Sequence, residues 1–514
     1  MKWSLICIIV SVWSFAAQAQ QWDFPCGAPS GKSAWLKQYQ LNPQAHSRST
    51  DTLLLVPLTI HIVGTDGGEG YFGVKNLLDA LCTLNADYEP ANIQFFIEGD
   101  IRYINNSSYY NHATVLEGAA MMFENNVPNT INTYFVADPA GNCGYNLPYA
   151  GIAMRKSCSD ATDHTWAHEV GHNLSLPHPF LGWEGGVSYD GSIPHNFNDP
   201  APEVVLYDYT YFQDTLIMDT LIIDTAYVEK VDGSNCHFAA DGFCDTHPDY
   251  LANRWNCNAN SMSTTQQTDP NGEHFFSEGW WIMSYSDDAC ANSFSSEQIV
   301  AMRANLYEEK PEYLYNQTLG ELVAAAPAIL EFPAAGELVQ FDEVALSWQP
   351  VEGATHYLLQ ISRLNNFTAA LTNDYLLTDN QTTVFDLENE RSYYWRVRAF
   401  NAYSFCTAFS AVEEFETSDV SATDALDNIH SIQVFPNPLA AGSSMTLVFD
   451  LPASLDVQAA LFNSCGQLIE QQSFSLAPGI QRRTFNTPTL STGVYCLKIS
   501  SKQGLSVRRV VVGG

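Results

Sequence analysis

The eleven residues from His168 to His178 constrain this chain most, because their spacing predicts both a helix and the place where it ends. They read H-E-x-x-H, with a further histidine six residues after the second. Residues four apart lie on one face of a helix, so His168 and His172 present their rings side by side and can hold two corners of a tetrahedral Zn²⁺. Pro177 and Pro179 predict that the helix stops early, which lets His178 reach the same ion.

Glu169 stands next to the first of these histidines. A carboxylate in that position can take a proton from a metal-bound water. Three protein ligands leave one coordination position open, which distinguishes a catalytic zinc site from a closed structural one. The motif therefore predicts a hydrolytic metal centre.

A second segment, Gly279 to Cys290, reads G-W-W-I-M-S-Y-S-D-D-A-C and resembles the Met-turn of metzincins, with Met283 and Tyr285 at the matching positions. With both motifs in this order, residues 50–315 resemble the pappalysin-type metzincins, a family of secreted zinc endopeptidases. The resemblance extends to further segments: Val56–Val63, Leu84–Tyr88, Asp241–Pro248 with His247 inserted, Phe294 and Gln298.

This resemblance implies an α+β metzincin-like catalytic domain over residues 51–318. It implies one catalytic Zn²⁺ on His168, His172 and His178, with Glu169 as the general base. A zincin whose third ligand is a glutamate is a weaker alternative, because His178 already stands at the expected offset.

The same resemblance assigns roles around the Met-turn. Tyr285 would donate a hydrogen bond to the tetrahedral oxyanion, and Met283 would support the site from below without taking part in the chemistry. Cys257 and Cys290 are similar to a family disulfide that flanks this turn.

Ser175 departs from the family pattern, which has glycine three residues after the second histidine. Glycine is favoured there because a left-handed backbone costs it nothing. Serine adopts that conformation at a cost of about 1–2 kcal/mol, and a zinc site worth on the order of 10 kcal/mol can absorb it. We therefore expect the metal site to form.

Charge and composition exclude several partners. The chain has 57 acidic and 22 basic residues among 514, a net charge of −35. Such a charge argues against binding nucleic acid or anionic membrane surfaces. Acidic side chains could also bind structural Ca²⁺.

The amino terminus has the features of a secretory signal peptide, residues 1–19. Met1-Lys2 is a short basic start, Leu5 to Phe15 is apolar, and Ala17-Gln18-Ala19 is a small-x-small cleavage site. Neither this apolar run nor any later one is long enough to span a bilayer. The sequence predicts a secreted protein, extracellular or attached to the cell surface. Residues 20–50 then read as a pro-segment with a candidate cleavage site near Arg48.

One cysteine is a candidate for the residue that keeps the predicted enzyme inactive before its activation. Of twelve cysteines, Cys7 leaves with the signal peptide, and the remaining eleven imply at least one unpaired thiol. Cys26 precedes the catalytic domain, so its thiolate could occupy the open zinc position and keep the enzyme latent. Alternatively, Cys26 pairs with another cysteine or lies exposed.

Proximity in the sequence makes Cys143–Cys158 and Cys236–Cys244 plausible local disulfides. Cys82 lies within an apolar helical pattern and is interpreted as a buried free thiol.

Periodicity places the elements around the motif. The spacing of the leucines predicts a helix over residues 74–88, and residues 151–155 are predicted to be the edge strand above the substrate cleft. The zinc helix should begin at Thr162 or Asp163, either of which could cap it. The internal repeat over residues 214–225 suggests a hairpin or edge strands.

Two all-β sandwich domains are expected after the catalytic domain. Residues 325–418 resemble a fibronectin type III domain in the spacing of Trp348, Tyr357 and Trp395. Beyond a polar linker, residues 431–514 resemble the C-terminal sorting domain of the type IX secretion system, through F-P-N-P and G-V-Y elements. The expected partner there is the secretion machinery.

The function these features predict is that of a secreted zinc endopeptidase acting on proteins or peptides. The alternative is an inactive metzincin scaffold that acts as a surface adhesin. Ser175 is the residue that favours this alternative, whereas Glu169 and Tyr285 oppose it, because a scaffold needs neither.

Overall fold

The computed structural model describes residues 24–28, 31–46, 50–209, 221–385, 387–418, 431–437, 439–440, 442–463, 467–501 and 504–513. The predicted signal peptide, residues 1–19, lies outside the described residues. The chain divides into two compact units. The first runs to Ala325 and also includes residues 352–355 and 400–407, and the second contains the remainder.

A seven-stranded sheet forms the centre of the first unit, in the order β1-β8-β9-β6-β2-β3, with β4 also paired to β2. Its pairs are parallel except that β8 runs antiparallel to β9. Every residue of β2, β6 and β9 is buried, as expected for parallel strands covered on both faces. The strands are β1 (Phe24–Cys26), β2 (Leu54–Gly64), β3 (Ile93–Ile97), β4 (Arg102–Asn105), β5 (Asn111–His112), β6 (Ile131–Val136), β7 (Asp138–Pro139), β8 (Asn142–Leu147) and β9 (Gly151–Arg155).

Helices pack on this sheet. The leucines that predict α2 are buried, and the helix has the predicted bounds. A capping box of Ser295 and Gln298 begins α6. The helices are α1 (Ala34–Leu41), α2 (Val74–Tyr88), α3 (Ser107–Tyr110), α4 (Val115–Asn125), α5 (Thr165–Asn173) and α6 (Ser296–Glu308). Short 3₁₀ turns cover Pro43–His46, Glu89–Ala91, Lys156–Cys158 and Pro311–Leu314.

The edge of the sheet differs from the prediction. The predicted edge strand, β9, lies inside the sheet, and β8 folds back antiparallel against it. The reversal is a tight turn in which the Ala150 N–H donates to the Leu147 carbonyl at 3.0 Å and Tyr149 has a φ of 64°. The pairing of β8 depends on this turn, which hydrophobic periodicity does not reveal.

Short β hairpins follow the H-E-x-x-H motif. Strands β10 (Val204–Asp208) and β11 (Ile223–Tyr227) are antiparallel, and β12 (Gln267–Thr268) pairs with β13 (His274–Phe275). Of the internal repeat at 214–225, residues 214–220 lie outside the described residues, and residues 223–225 belong to β11.

The second unit is built from strands. Trp348 and Trp395, both fully buried, lie with ring centroids 6.5 Å apart between a three-stranded and a five-stranded sheet. The strands are β14 (Leu330–Phe332), β15 (Glu337–Gln340), β16 (Val344–Trp348), β17 (His356–Ser362), β18 (Thr372–Leu377), β19 (Gln381–Val384), β20 (Arg391–Phe400) and β21 (Glu413–Ser418), with a 3₁₀ turn at Ala369–Leu371.

The carboxy-terminal part is a second sandwich with its own core, to which Leu447, Phe449, Leu461 and Leu497 belong. One sheet has the order β22-β24-β27 and the other the order β23-β29-β28-β25-β26. The strands are β22 (Ser431–Phe435), β23 (Leu439–Ala440), β24 (Met445–Leu451), β25 (Leu455–Phe462), β26 (Leu468–Leu476), β27 (Gly479–Phe485), β28 (Gly493–Ser501) and β29 (Gly504–Gly513). The described chain is thus mixed α and β, with more strand than helix.

Four disulfides are present in the described chain: Cys82–Cys406, Cys143–Cys158, Cys236–Cys244 and Cys257–Cys290. The interpretation of Cys82 as a free thiol is wrong, because the fold brings Cys406 beside it from 324 residues away. Among the cysteines that the structure describes, Cys26 and Cys496 are unpaired.

In the described part of the chain, we find no helix with the length and apolar character needed to cross a membrane.

Candidate active site

The three histidines of the motif converge at the end of α5. Their Nε2 atoms are 3.0 Å apart for His168 and His172, 3.0 Å for His172 and His178, and 3.2 Å for His168 and His178. His168 and His172 lie one turn apart on the helix, whereas His178 follows it. The structure therefore brings together all three predicted ligands.

The turn that brings His178 back is a Schellman motif at the end of α5. The Leu176 N–H donates to the Gly171 carbonyl at 2.9 Å, and the Ser175 N–H donates to the His172 carbonyl at 3.0 Å. Ser175 has a φ of 71°, the left-handed conformation expected at this position. Its hydroxyl accepts hydrogen bonds from Asn305 Nδ2 at 3.0 Å and Ser33 Oγ at 3.3 Å.

Each ring is oriented by its other nitrogen. Nδ1 of His168 bonds the Ile282 carbonyl at 2.7 Å, and Nδ1 of His172 bonds the Leu176 carbonyl at 2.7 Å. Because a carbonyl only accepts, both Nδ1 atoms carry the proton and both Nε2 atoms keep a lone pair. Burial lowers the pKa of His168 to about 4, so its ring is neutral.

His178 is held in the same way by a carboxylate. Its Nδ1 lies 3.4 Å from Glu184 Oε1, which also fixes its tautomer. Burial, together with the neighbouring histidines, lowers the pKa of His172 and His178 well below the usual value.

This donor set fits a zinc ion. Three lone pairs face one another with no proton between them, an arrangement that a cation at their centre would stabilise. In a tetrahedral site with Zn–N distances of about 2.0–2.1 Å, nitrogen ligands are about 3.3–3.4 Å apart. The observed separations of 3.0–3.2 Å are close to that value.

Glu169 lies fully buried beside the histidines. Neither of its carboxylate oxygens has a hydrogen-bond partner among the described residues. Burial raises its pKa to about 8, an effect that the nearby Cys26 side chain and Asn146 backbone partly offset. Strand β8 passes close by, since a Cβ at Gly144 would lie 3.0 Å from Glu169 Cγ.

Met283 lies directly beneath α5, the helix that carries His168 and His172. It is fully buried, and a Cβ at Gly171 would lie 2.5 Å from its Sδ. The glycine inside H-E-x-x-H is therefore needed because the methionine approaches the helix backbone closely.

Tyr285 is buried next to the ligands, with its ring centroid 4.9 Å from that of His178 and 5.9 Å from that of His168. Its hydroxyl donates to the Cys26 carbonyl at 3.0 Å. The tyrosine is thus already bonded to a peptide carbonyl at the site.

Residues 24–27 lie along the edge of β8 that faces away from β9. Strand β1 pairs with β8 in parallel, and the Gly27 N–H donates to the Gly144 carbonyl at 2.8 Å. The pairing places Cys26 Sγ 3.6 Å from His172 Nε2. Sγ and one nitrogen from each of His168, His172 and His178 all lie within 4.8 Å of one another. Cys26 is buried and unpaired, so the alternatives of a disulfide or an exposed thiol are wrong.

Burial raises the pKa of the Cys26 thiol well above the usual value, and the Glu169 carboxylate adds to this rise. The Ala28 N–H donates to Sγ at 3.2 Å, which favours the thiolate instead.

The start of α5 differs from the prediction. The helix begins at Thr165 after His164, and neither Thr162 nor Asp163 caps it. The cap comes from a distant segment, because Asp288 Oδ1 accepts from the His164 N–H at 3.1 Å. The contact of Glu184 with His178 has no sequence signal, since a carboxylate six residues beyond a histidine has no motif of its own.

Comparison with known proteins supports export and a distant protease relationship. Residues 433–513 match the family described as secretion system C-terminal sorting domain. An extracellular metalloprotease of Pyricularia oryzae is 25% identical over 209 residues, covering 35% of this chain and 72% of the relative.

Two solved structures are also similar to parts of the chain. The FN1–FN3 domains of chicken CNTN1 share 12% identity, covering 38% of this chain and 69% of that one, with a TM-score of 0.20. The fn3 domain of human contactin 1 shares 16% identity, covering 20% and 92%, with a TM-score of 0.16. These scores are too low to assign a fold.

The sorting domain shows that the protein engages the type IX secretion machinery and is secreted or located at the cell surface.

Proposed function

We propose that this protein is a zinc-dependent endopeptidase that is secreted in a latent form. The observation that carries the proposal is the convergence of three histidine Nε2 atoms within 3.2 Å of one another, each ring anchored through Nδ1. The distant similarity to an extracellular metalloprotease supports it. The motifs that resemble pappalysin-type metzincins support the finer assignment.

His168, His172 and His178 would hold the metal through neutral imidazoles. Zn²⁺ bound there supplies a Lewis acid that polarises the scissile carbonyl and lowers the pKa of a water molecule. The protein's own contribution is to keep the three rings neutral, buried and correctly oriented.

Glu169 acts as the proton carrier. Its carboxylate lies fully buried beside the histidines, where it can accept a proton from the attacking water. Glu169 then passes this proton to the amine that leaves when the C–N bond breaks.

Tyr285 stabilises the oxyanion. The Cys26 carbonyl that accepts its hydrogen bond stands in for the carbonyl of a substrate. When a substrate replaces residues 24–27, the same hydroxyl can donate to the oxygen on which negative charge develops.

The substrate binds as an added strand. Strand β1 occupies the free edge of β8 through main-chain hydrogen bonds, a mode that tolerates many sequences. A protein or peptide segment would take this place once the pro-segment has left.

The scaffold-adhesin alternative receives no support from Ser175. Its backbone adopts the left-handed conformation that the motif requires, and its hydroxyl is bonded on two sides. The fibronectin type III-like character of residues 325–418 and the structural Ca²⁺ remain predictions.

The decisive experiment combines zinc content with peptide cleavage. Full-length protein is treated with trypsin, the trypsin is inhibited, and cleavage of a peptide library is followed with and without a chelator. Glu169→Gln, treated identically, is the matched control because it changes one oxygen and none of the ligands. We expect one zinc per chain in both proteins and chelator-sensitive cleavage in the wild type alone. Zinc-loaded wild type that cleaves no peptide would refute the proposal.

Latency is tested separately on protein that has not been cleaved. Cys26→Ser removes the thiol that lies 3.6 Å from His172 Nε2 while keeping the strand pairing of β1. We expect untreated Cys26→Ser to cleave peptides faster than untreated wild type. Equal rates would show that the strand, and not the thiol, maintains latency.

A further inference from the structure

The three predicted metal ligands are held by partners of different charge. Nδ1 of His168 and Nδ1 of His172 each donate to a peptide carbonyl at 2.7 Å. His178 differs, because its Nδ1 faces the carboxylate of Glu184, with Oε1 at 3.4 Å. A carbonyl oxygen carries a partial charge, whereas an ionised carboxylate carries a full one. Of the three rings, His178 is therefore the one whose partner can add negative charge to the metal site.

The position of Glu184 does not depend on His178 alone. Its other oxygen, Oε2, accepts from the Gly182 N–H at 2.7 Å. A tight turn leads from the histidine toward the glutamate, in which the Leu181 N–H donates to the His178 carbonyl at 3.1 Å. Within this turn the Phe180 ring stacks on the His178 ring, with centroids 4.5 Å apart. The chain between the two residues therefore sets the contact between the carboxylate and the ring.

Water reaches Glu184 far more than it reaches the ring beside it. The His178 side chain is 2% exposed, whereas that of Glu184 is 22% exposed. Glu184 also lines a cavity of about 700 Å³, and exposed residues such as Asp190 form part of its wall. Burying a charge is costly, and contact with water on one side reduces that cost. The protein can therefore keep a negative charge next to a buried, neutral histidine.

The negative charge of Glu184 extends across the site. Burial raises the pKa of Tyr285 well above its usual value, and the charges of Cys26 and Glu184 add to this rise. The Tyr285 ring centroid lies 4.9 Å from that of His178. A charge that acts on Tyr285 also acts on the point where the three histidine Nε2 atoms meet. Because opposite charges attract, it would stabilise a Zn²⁺ ion bound at that point.

We propose that Glu184 is a positioning residue that holds the His178 ring and, through its negative charge, raises the affinity of the three histidines for Zn²⁺. In this role it acts through His178 and takes no part in the chemical step. This inference rests on the proposed zinc site. Partners of metal-binding histidines typically change metal affinity or activity by about 10- to 100-fold.

The test compares the zinc affinities of full-length variants by competition with a chelator. Glu184→Gln keeps an oxygen that can accept from His178 and Gly182 but loses the charge, so it should bind Zn²⁺ on the order of tenfold more weakly than the wild type. Glu184→Ala loses both and should bind about 100-fold more weakly. Asp190→Asn removes an exposed carboxylate from the wall of the same cavity. It is the matched control and should bind Zn²⁺ as the wild type does.

Salt and stability separate the effect of the charge from a merely structural role. Added KCl screens charges that water can reach, so it should weaken zinc binding by the wild type more than by Glu184→Gln. With chelator present, Glu184→Gln should melt with the wild type, because its amide oxygen can still accept from the Gly182 N–H. A lower melting temperature of the metal-free variant, with an unchanged salt dependence, would show a structural role and overturn the inference.

Peptide cleavage distinguishes this inference from the proposed function. After trypsin activation, zinc-saturated Glu184→Gln should have a kcat no lower than that of the wild type, because the lost charge would oppose the oxyanion. A lower kcat at zinc saturation, or equal zinc affinities of the wild type and Glu184→Gln, would overturn the inference. Zinc-loaded wild type that cleaves no peptide would refute the activity alone, and the difference in zinc affinity would still be expected. If Glu184→Ala does not fold, the comparison with Glu184→Gln decides.

Discussion

Replacing Ser175 by glycine should not stabilise the protein, although glycine is the residue that the left-handed position favours. The φ of 71° means that the serine backbone costs about 1–2 kcal/mol, which glycine would recover. The same change removes the hydroxyl that accepts hydrogen bonds from Asn305 and Ser33. The result therefore depends on which of the two effects is larger.

The free energy lost with the two hydrogen bonds should exceed the free energy recovered from the left-handed serine backbone. Asn305 is fully buried, so leaving its Nδ2 without a partner costs about 1–3 kcal/mol. The bond from Ser33, which is less buried, adds roughly 0.5–1 kcal/mol. The net loss for Ser175→Gly is therefore centred at about 1 kcal/mol, within a range of roughly −0.5 to 3 kcal/mol. Ser175→Ala loses the same bonds without recovering backbone strain, so it should be about 1–2 kcal/mol less stable than the glycine variant.

Differential scanning calorimetry of the full-length proteins tests this order. The transition that shifts when zinc is chelated reports the first unit, for which 1 kcal/mol corresponds to roughly 2 °C. We expect the wild type to melt at or above Ser175→Gly, and Ser175→Ala to melt lowest. Ser175→Gly melting clearly above the wild type would refute the reasoning. Equal melting of the two variants would show that the serine backbone is not strained.

Three further outcomes follow from particular contacts. Gly171→Ala places a methyl group 2.5 Å from Met283 Sδ and should destabilise the first unit by about 1–3 kcal/mol, which calorimetry with and without Met283→Ala would show as a partly rescued loss. Cys406→Ser should lower the same transition by the equivalent of roughly 2–5 kcal/mol, and adding Cys82→Ser should cost nothing more; a further loss would contradict the pairing. Burial lowers the pKa of His61 from 6.5 to about 4, so the folded state resists protonation and stability should fall as pH drops through this range, by up to about 1.4 kcal/mol per pH unit. Urea midpoints at pH 7 and pH 5 should show a smaller acid loss for His61→Gln than for the wild type.

Local pattern was enough to predict several parts of the molecule. The leucine spacing predicts α2 with its observed bounds, because a buried helical face must repeat every three to four residues. The offset within H-E-x-x-H places His168 and His172 on one face of the helix, and the early end of the helix lets His178 join them. The sorting domain was likewise predicted from short motifs, and the family match confirms it.

What depends on distant segments could not be predicted from the sequence. The local pattern at Cys82 predicts a free thiol because its partner is 324 residues away, and the pattern at residues 151–155 predicts the wrong edge strand because a single turn reverses β8. The cap of α5 comes from Asp288, which belongs to the segment after the Met-turn.

The sequence by itself determined which residues are candidates to bind a metal and activate water, because those requirements lie in residue type and in spacing within one helix and the turn after it. The tertiary structure alone decided what surrounds that centre: the strand pairing of β1 and β8, the proximity of Cys26 to the histidines, and the Arg254–Asp288 ion pair. Each of these joins segments that are far apart in the chain, and such contacts depend on how the whole core packs, which no local pattern encodes.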